Sequence, residues 1–245
     1  MSWIGPAAML IRREFLRFWQ EKSRVAGFVA SPLVFWVVVG SGFGDLDFFF
    51  PGALTMTVMF SAMFSMMSLI EDRREGFLLS VLVSPAPRIS IVLGKVIGAA
   101  LLAWLQGLIV LGCVFFTGLQ HGSTDLMGVS LSLLLTALLL TAVSFSLAWR
   151  MESTQGFHAI INLLFVPSWL LSGAIFDPSR SFPWVRGLMQ INPLYYAQSS
   201  VRHFLRPDST LPDAGIALGV LAAGAVLLFW VGARTVGKPS AKNFT

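Results

Sequence analysis

FFFPGALTMTVMFSAMFSMMSLI, residues 48–70, runs without one Asp, Glu, Lys or Arg and then meets EDRREGFLLSVLVSPAPR, residues 71–88. A membrane-spanning helix needs about 20 consecutive, mainly apolar residues. A charged side chain at its centre costs about 2.5–3.5 kcal/mol on insertion scales. Residues 48–70 therefore predict one crossing, and the charges from Glu71 onward mark its end. The same test finds five more charge-free runs: 25–44, 96–124, 126–149, 153–176 and 214–233. The third extends back towards Ile89, giving a span at about 89–118. Membrane β-strands would instead show alternating segments of about 10 residues. The pattern predicts an all-α integral membrane protein with six transmembrane helices, residues 1–245 forming a single transmembrane domain.

Composition points the same way. Of 245 residues, 56% are hydrophobic and 12% charged, with a mean hydropathy of +0.77. An ordinary soluble domain carries about 25% charged residues. Half of that cannot coat a water-facing surface, which argues against a soluble enzyme. Disorder requires low hydrophobicity and high charge, and one cysteine, Cys113, excludes a disulfide scaffold.

The positive-inside rule sets the orientation. With the N-terminus inside, the inner segments hold Arg12, Arg13, Arg17, Lys22, Arg24, Arg73, Arg74, Arg88, Lys95, Arg150, Arg234, Lys238 and Lys242, which is 13 of the 17 cations. The outer side holds Arg180, Arg186, Arg202 and Arg206, all in one loop. Both termini are expected in the cytoplasm, with the chain in the cytoplasmic (inner or plasma) membrane. The pI near 10 follows this sidedness, so no nucleic-acid partner is implied. Residues 1–24 lack an apolar core with a small-residue cleavage site, so no cleavable signal peptide is expected.

Three segments do not cross. In residues 4–24, Ile11, Phe15, Phe18 and Trp19 share one helical face, and Arg13, Arg17, Gln20 and Arg24 share another. A basic amphipathic helix of this kind sits at the headgroup level, as an anchor or as a transmitter of force. Residues 71–88 exceed what a simple helix connection needs. Five charged residues precede an apolar stretch that Pro85 and Pro87 close. The segment is either a positive-inside loop or a short helix that docks on a cytoplasmic partner. Residues 177–213, interrupted by Pro183 and Pro193, suit a re-entrant or interfacial helix pair. Its four cations face solvent, lipid headgroups or an anionic substrate.

The order of these parts resembles the ABC-2 family, the permease subunits of type-2 ABC exporters for drugs, polysaccharides and lipids. Glu71-Asp72-Arg73-Arg74-Glu75-Gly76-Phe77-Leu78, then Leu82-Val83-Ser84-Pro85, Arg88 and Leu93-Gly94-Lys95, is similar to the family's signature after span two. Ser172-Gly173-Ala174-Ile175-Phe176 and Ile191-Asn192-Pro193-Leu194-Tyr195-Tyr196-Ala197 resemble its second signature. The resemblance implies that 71–88 holds a coupling helix seated on an ATP-binding subunit. Glu71, Arg73, Arg74 and Glu75 would be its charged contacts, and Phe77 and Leu78 its apolar ones. Asp72, Gly76, Pro85 and Arg88 belong to the same element. Residues 6–24, with Arg13, Arg17 and Phe18, would be a connecting helix, and Asn192, Pro193, Tyr195 and Tyr196 part of the external re-entrant element. No G-x-x-x-x-G-K-[ST] motif occurs, so this chain is not expected to bind or hydrolyse ATP. The resemblance supplies ATP and Mg through a separate ATPase subunit in two copies, and a second permease copy, identical or paralogous.

A route for cargo is the least determined feature. In span two, Thr57, Ser61, Ser65 and Ser68 lie on one face and Met56, Met59, Met63, Met66 and Met67 on nearly the opposite one. Small hydroxyl residues let membrane helices approach closely, and methionine adapts to irregular surfaces. Either both faces pack, on helices or lipid, or one lines a path for amphipathic cargo. Span five offers Asn162 and Phe165, with Pro167 able to bend it. Met63, Met66, Asn162 and Phe165 are the pathway candidates. His121, His158 and His203 lack metal-ligand spacing, so no metal is expected. The alternative is an ion-coupled transporter or channel, which would place ionisable residues within its spans. The six runs offer only His158 and His121.

Overall fold

The computed structural model describes residues 4–83, 87–121, 124–206 and 212–237. Pro85, Lys238 and Lys242 lie outside the described residues, as do the side chains of Lys22 and Arg24. Eleven α-helices are present among the described residues, with no strand: α1 (Ile4–Gln20), α2 (Lys22–Phe43), α3 (Leu46–Ser65), α4 (Met67–Arg74), α5 (Phe77–Val83), α6 (Ile89–Leu111), α7 (Leu126–Ala148), α8 (Thr154–Trp169), α9 (Pro183–Ile191), α10 (Pro193–Leu205) and α11 (Ala214–Gly237). Six stretches are long and apolar enough to cross a membrane: Ala26–Phe43, Leu46–Arg74, Ile89–Phe116, Leu126–Ala148, Thr154–Ala174 and Ala214–Val236. They coincide with the six charge-free runs.

Helix starts follow capping chemistry. Asp45, Asp125, Ser153 and Asn192 each accept a backbone N–H of the following first turn, for α3, α7, α8 and α10. Each such cap contributes about 1 kcal/mol by satisfying a donor that the helix leaves open.

The core sits around α3. Phe49 to Thr55, Thr57 to Met59 and Ser61 to Met63 are all buried, against α2, α6, α7 and α10. Outer helices expose apolar side chains that lipid solvates, such as Val34 and Val38 on α2 and Val226 and Leu227 on α11. The stretch Leu46–Arg74 has 29 residues. At about 1.5 Å per residue it is roughly 44 Å long, against a hydrocarbon thickness of about 30 Å. Its charged end therefore projects beyond the hydrocarbon, where α4, α5 and α1 meet.

Two local expectations are revised. The N-terminal helix stops at Gln20, with Glu21 non-helical before α2 begins. Its buried face is Ala7, Leu10 and Glu14, while Trp19 is 71% exposed. The choice is steric. A Cβ added to Gly94 of α6 would lie 2.5 Å from the Leu10 Cβ, so α1 enters a groove that only glycine leaves open. In span five Pro167 lies within α8, and the regular helix gives way only after Trp169, to a π-helical turn at Leu170–Ala174. Residues 177–213, expected to form a helix pair, hold two helices among the described residues, α9 and α10, divided at Asn192–Pro193.

Gly94→Leu should separate α1 from α6. Overpacking of this kind costs about 1–3 kcal/mol, so thermal unfolding of the purified variant should show a lowered Tm. An unchanged Tm would mean that the α1–α6 contact is dispensable.

Candidate functional site

The site forms where α4 leaves the end of span two. At Met66 the helix pauses, its N–H reaching the Met63 carbonyl at 3.1 Å, and α4 starts afresh. This turns Asp72 inward, where it is fully buried. Its carboxylate meets the Arg13 guanidinium in a fork, Nη1 to Oδ2 at 2.9 Å and Nη2 to Oδ1 at 2.7 Å. Lys95 Nζ of α6 reaches Asp72 Oδ2 at 2.5 Å, Glu14 Oε1 at 2.5 Å and Ser68 Oγ at 3.0 Å, using all three of its protons. Arg17 donates to Asp72, Glu71 and Glu21. Burial works against the Arg17 charge, but the carboxylates of Glu71, Asp72 and Glu14 outweigh it and hold its pKa above the ordinary guanidinium value. A buried charge is tolerable only when paired and hydrogen-bonded. Here the pairs run between α1, α4 and α6, so the three helices are locked by charge.

The other face of α4 is held as firmly. Arg73 donates from Nη2 to the Trp149 carbonyl at 2.7 Å and from Nη1 to that of Met151 at 3.0 Å. Trp149 caps the end of α7, where helical C=O groups lack intrahelical partners and carry partial negative charge, and Met151 follows in the α7–α8 turn. Arg74 Nε reaches the Glu152 carbonyl at 3.1 Å. Beyond α4, Gly76 takes φ 75°, a conformation that glycine adopts without steric cost, and the chain turns into α5. The Arg13 guanidinium lies 3.8 Å from the centre of the Phe77 ring, and Leu78 is buried. Leu79 and Val83 point outward, 43% and 74% exposed, and Glu75 is exposed. Arg88 approaches the Val236 carbonyl of α11 at 3.4 Å.

The residues singled out in 71–78 are therefore brought together, but most of the charges face their own chain. Glu71, Asp72, Arg73 and Arg74 are bonded to α1, α6 and the α7–α8 turn. Arg13 and Arg17 turn to carboxylates, and Phe18 of the same helix is half-buried. Glu14, Ser68 and Lys95 complete the cluster and were not read from the sequence as site residues. A signal existed: Lys95 is followed at once by a charge-free run, and Glu14 falls on the Ala7–Leu10 face.

A second cluster lies at the opposite end of α3. Asn192 caps α10 through the Leu194 N–H and donates from Nδ2 to the Ser168 carbonyl at 2.5 Å. Pro193 occupies the first turn of α10, Tyr195 is buried, and Tyr196 donates its hydroxyl to the Gln190 carbonyl at 2.8 Å. With its amide oriented by its neighbours, Gln198 donates to Thr55 Oγ1 at 2.9 Å and to the Pro51 carbonyl at 3.2 Å, and accepts from Arg202 Nε at 3.2 Å. Trp169 donates to the Gly52 carbonyl at 3.1 Å, joining spans two and five. The cations of residues 177–206 are not all solvated. Arg202 lies 4.2 Å from the centre of the Phe48 ring, and burial lowers its pKa to about 10 despite Asp177 and Asp45. Arg186 folds onto the Pro178 and Ser179 carbonyls.

The pathway candidates are not brought to a common opening. Met63 and Met66 are fully buried and Phe165 is 6% exposed. Asn162 is half-exposed and bonded to His158, its Nδ2 2.9 Å from the ring Nδ1. On span two, Ser61 accepts from Gln106 of α6 at 2.7 Å and Ser68 donates to Glu14 at 3.1 Å. The hydroxyl face thus packs on α6 and α1, and Met59, Met63 and Met66 pack on other helices.

Lys95→Met would leave the Glu14 and Asp72 carboxylates without their shared cation. Removing one partner of a buried pair costs about 3–5 kcal/mol. Unfolding in detergent should show that loss, and adding Glu14→Gln should recover part of it. Simple additivity of the two substitutions would mean that the residues are uncoupled.

Comparison with known proteins places this geometry. Three similar proteins carry the name "Putative transport permease ycf38". That from Cyanophora paradoxa is 26% identical over 83% of this chain and 75% of its own length. Those from Porphyra purpurea and Pyropia yezoensis are 24% and 26% identical, over 79% and 82% of this chain and 72% and 74% of theirs. The sequence profile of the ABC-2 type transporter family matches residues 7–205, from the buried face of α1 to the last residue of α10, and the chain is a multi-pass membrane protein that belongs to that family.

Proposed function

We propose that this chain is the membrane-spanning permease subunit of an ATP-driven exporter. In this reading it moves an amphipathic, lipid, glycan or drug-like molecule across the cytoplasmic membrane by alternating access. The whole chain acts as one transmembrane unit with both termini in the cytoplasm. ATP and Mg are used by a separate ATP-binding subunit in two copies, and a second permease copy, identical or paralogous, completes the complex.

The observation that carries this reading is the mounting of α5. This short helix follows a glycine turn, buries Leu78, sets the half-buried Phe77 against Arg13, and with the preceding Glu75 presents Leu79, Ser80 and Val83 outward. Behind it, α4 is bonded to α1, α6 and the α7–α8 turn. A push on the outward face of α5 would pass into four helices through charged hydrogen bonds, which are stronger than neutral ones. The division of labour differs from one in which the charges of 71–74 touch the ATPase. Glu75 and the apolar outer face of α5 make contact, and Glu71, Asp72, Arg73 and Arg74 transmit.

Two outcomes test this. With the chain co-expressed beside its ATPase, Leu79→Asp together with Val83→Asp should abolish co-purification. Asp72→Asn should permit assembly while lowering transport per ATP at least several-fold. Normal assembly of the α5 double variant would overturn the docking surface. Sidedness is tested separately. In a Cys113→Ala background, Ser41→Cys in the last turn of α2 should react with an impermeant thiol reagent from outside intact cells. Labelling confined to inside-out vesicles would invert the topology.

A further inference from the structure

Arg202 of α10 is partly buried beside the start of α3, its guanidinium over the Phe48 ring. A guanidinium carries five N–H donors in a fixed plane. Nε is taken by the oriented Gln198 amide at 3.2 Å, and Nη2 reaches the Phe48 carbonyl only at 3.5 Å. Nη1 has no partner among the described residues. No carboxylate pairs with the group there either, and Asp177 and Asp45 act on it as charges from further off. Among the described residues, the buried side-chain atoms that lack a partner are Gln106 Oε1 and Ser144 Oγ. Nη1 is not one of them, so it is not sealed inside the protein. An open cationic edge therefore meets accessible space.

The neighbouring acids narrow the choice of ligand. Parallel N–H groups of a guanidinium suit a phosphate, but a bare anion would be repelled by Asp45. Asp45 is exposed at the N-cap of α3. One of its oxygens accepts from the Phe48 N–H at 2.9 Å, and the other has no partner among the described residues. Asp177 is offset by Arg180 as well as by Arg202. Asp47 turns to the Gly118 N–H at 3.0 Å. One open cationic edge and one open carboxylate oxygen remain, within reach of each other's charge. A molecule that meets both carries a phosphate and an ammonium. Phe43 at the end of α2 and Phe176 after the π-helical turn are 74% and 37% exposed, and bring apolar surface to the same end of the bundle.

We propose that Arg202 and Asp45 bind the phosphate–ammonium headgroup of a zwitterionic phospholipid, the phosphate on the open guanidinium edge and the ammonium on the open Asp45 oxygen. Phe48 and Gln198 hold the guanidinium plane, so the fork is set before the lipid arrives. The start of α3 is where span two meets the membrane surface, which is the depth of a headgroup. The site rests on the membrane-spanning fold, and neither on ATP coupling nor on which side faces the cytoplasm. A failure here leaves the permease reading in place.

The test uses the full chain, delipidated in detergent and without nucleotide, and native mass spectrometry. Three lipids with the same acyl chains are compared: phosphatidylethanolamine, phosphatidylglycerol and diacylglycerol. Phosphatidylethanolamine should bind saturably and most tightly, and diacylglycerol least. Arg202→Gln should weaken phosphatidylethanolamine by about tenfold or more, as expected for hydrogen bonds to a charged group. Asp45→Asn keeps an oxygen to cap α3. It should weaken phosphatidylethanolamine and strengthen phosphatidylglycerol, and it serves where Arg202→Gln fails to fold. Displacement by water-soluble glycerophosphoethanolamine at equal concentration would assign the site to a free phosphoamine, and failure to displace to the membrane lipid. Equal binding of the three lipids would overturn the proposal, as would an unchanged preference in Asp45→Asn or an unchanged affinity in Arg202→Gln. So would the absence of saturable phosphatidylethanolamine binding, which would leave Arg202 and Asp45 to each other.

Discussion

The structure depends on one ammonium group. Lys95 sits in the second turn of α6, 1% exposed, and gives its three protons to Asp72, Glu14 and Ser68. An arrangement of α1 and α4 without these partners would leave a buried unpaired cation, which costs several kcal/mol. Hydrophobicity alone does not choose the facing of α1, since its more hydrophobic stripe is not the one that packs. The ion cluster can, since the observed arrangement pairs Lys95 with Glu14 and Asp72, and Asp72 with Arg13. It sets where α1 lies, which way α4 turns and so where α5 emerges.

The spans were legible because bilayer physics writes them into composition. Charge-free runs, Asp45 and Asp125 at helix starts, and the prolines at 183 and 193 each name a boundary through one local cause. The facing of α1 was not legible. Its most hydrophobic stripe contains Trp19, yet the packed stripe is Ala7, Leu10 and Glu14. That choice is made by Gly94 and Gly98 of α6, some 80 residues away, whose missing side chains create the groove. A helical wheel holds one helix and cannot show the groove on another.

The same reason separates the motif of 71–78 from the roles of its charges. A run of five charged residues before an apolar stretch signals an end of a span and a contact surface. It does not say whose atoms are contacted. Arg73 and Arg74 find theirs in carbonyls at the end of α7 and beyond it, groups that a sequence never displays because every residue carries one. The charge-free run begins only at Val96, so composition leaves Lys95 at the edge of its span. The structure draws it inside, where an ionisable residue carries functional weight.

Chain order gives the cluster a role in biogenesis. Glu14 and Asp72 precede Lys95 in the sequence, and domains form from the N-terminus as synthesis proceeds. When α6 leaves the ribosome, the segments that carry both of its counter-ions, α1 and α4, have already been made. A lysine near the head of an apolar helix would otherwise draw that helix back towards water. Here it meets a prepared acceptor, so the third crossing is secured by the first 72 residues before the remaining three are made.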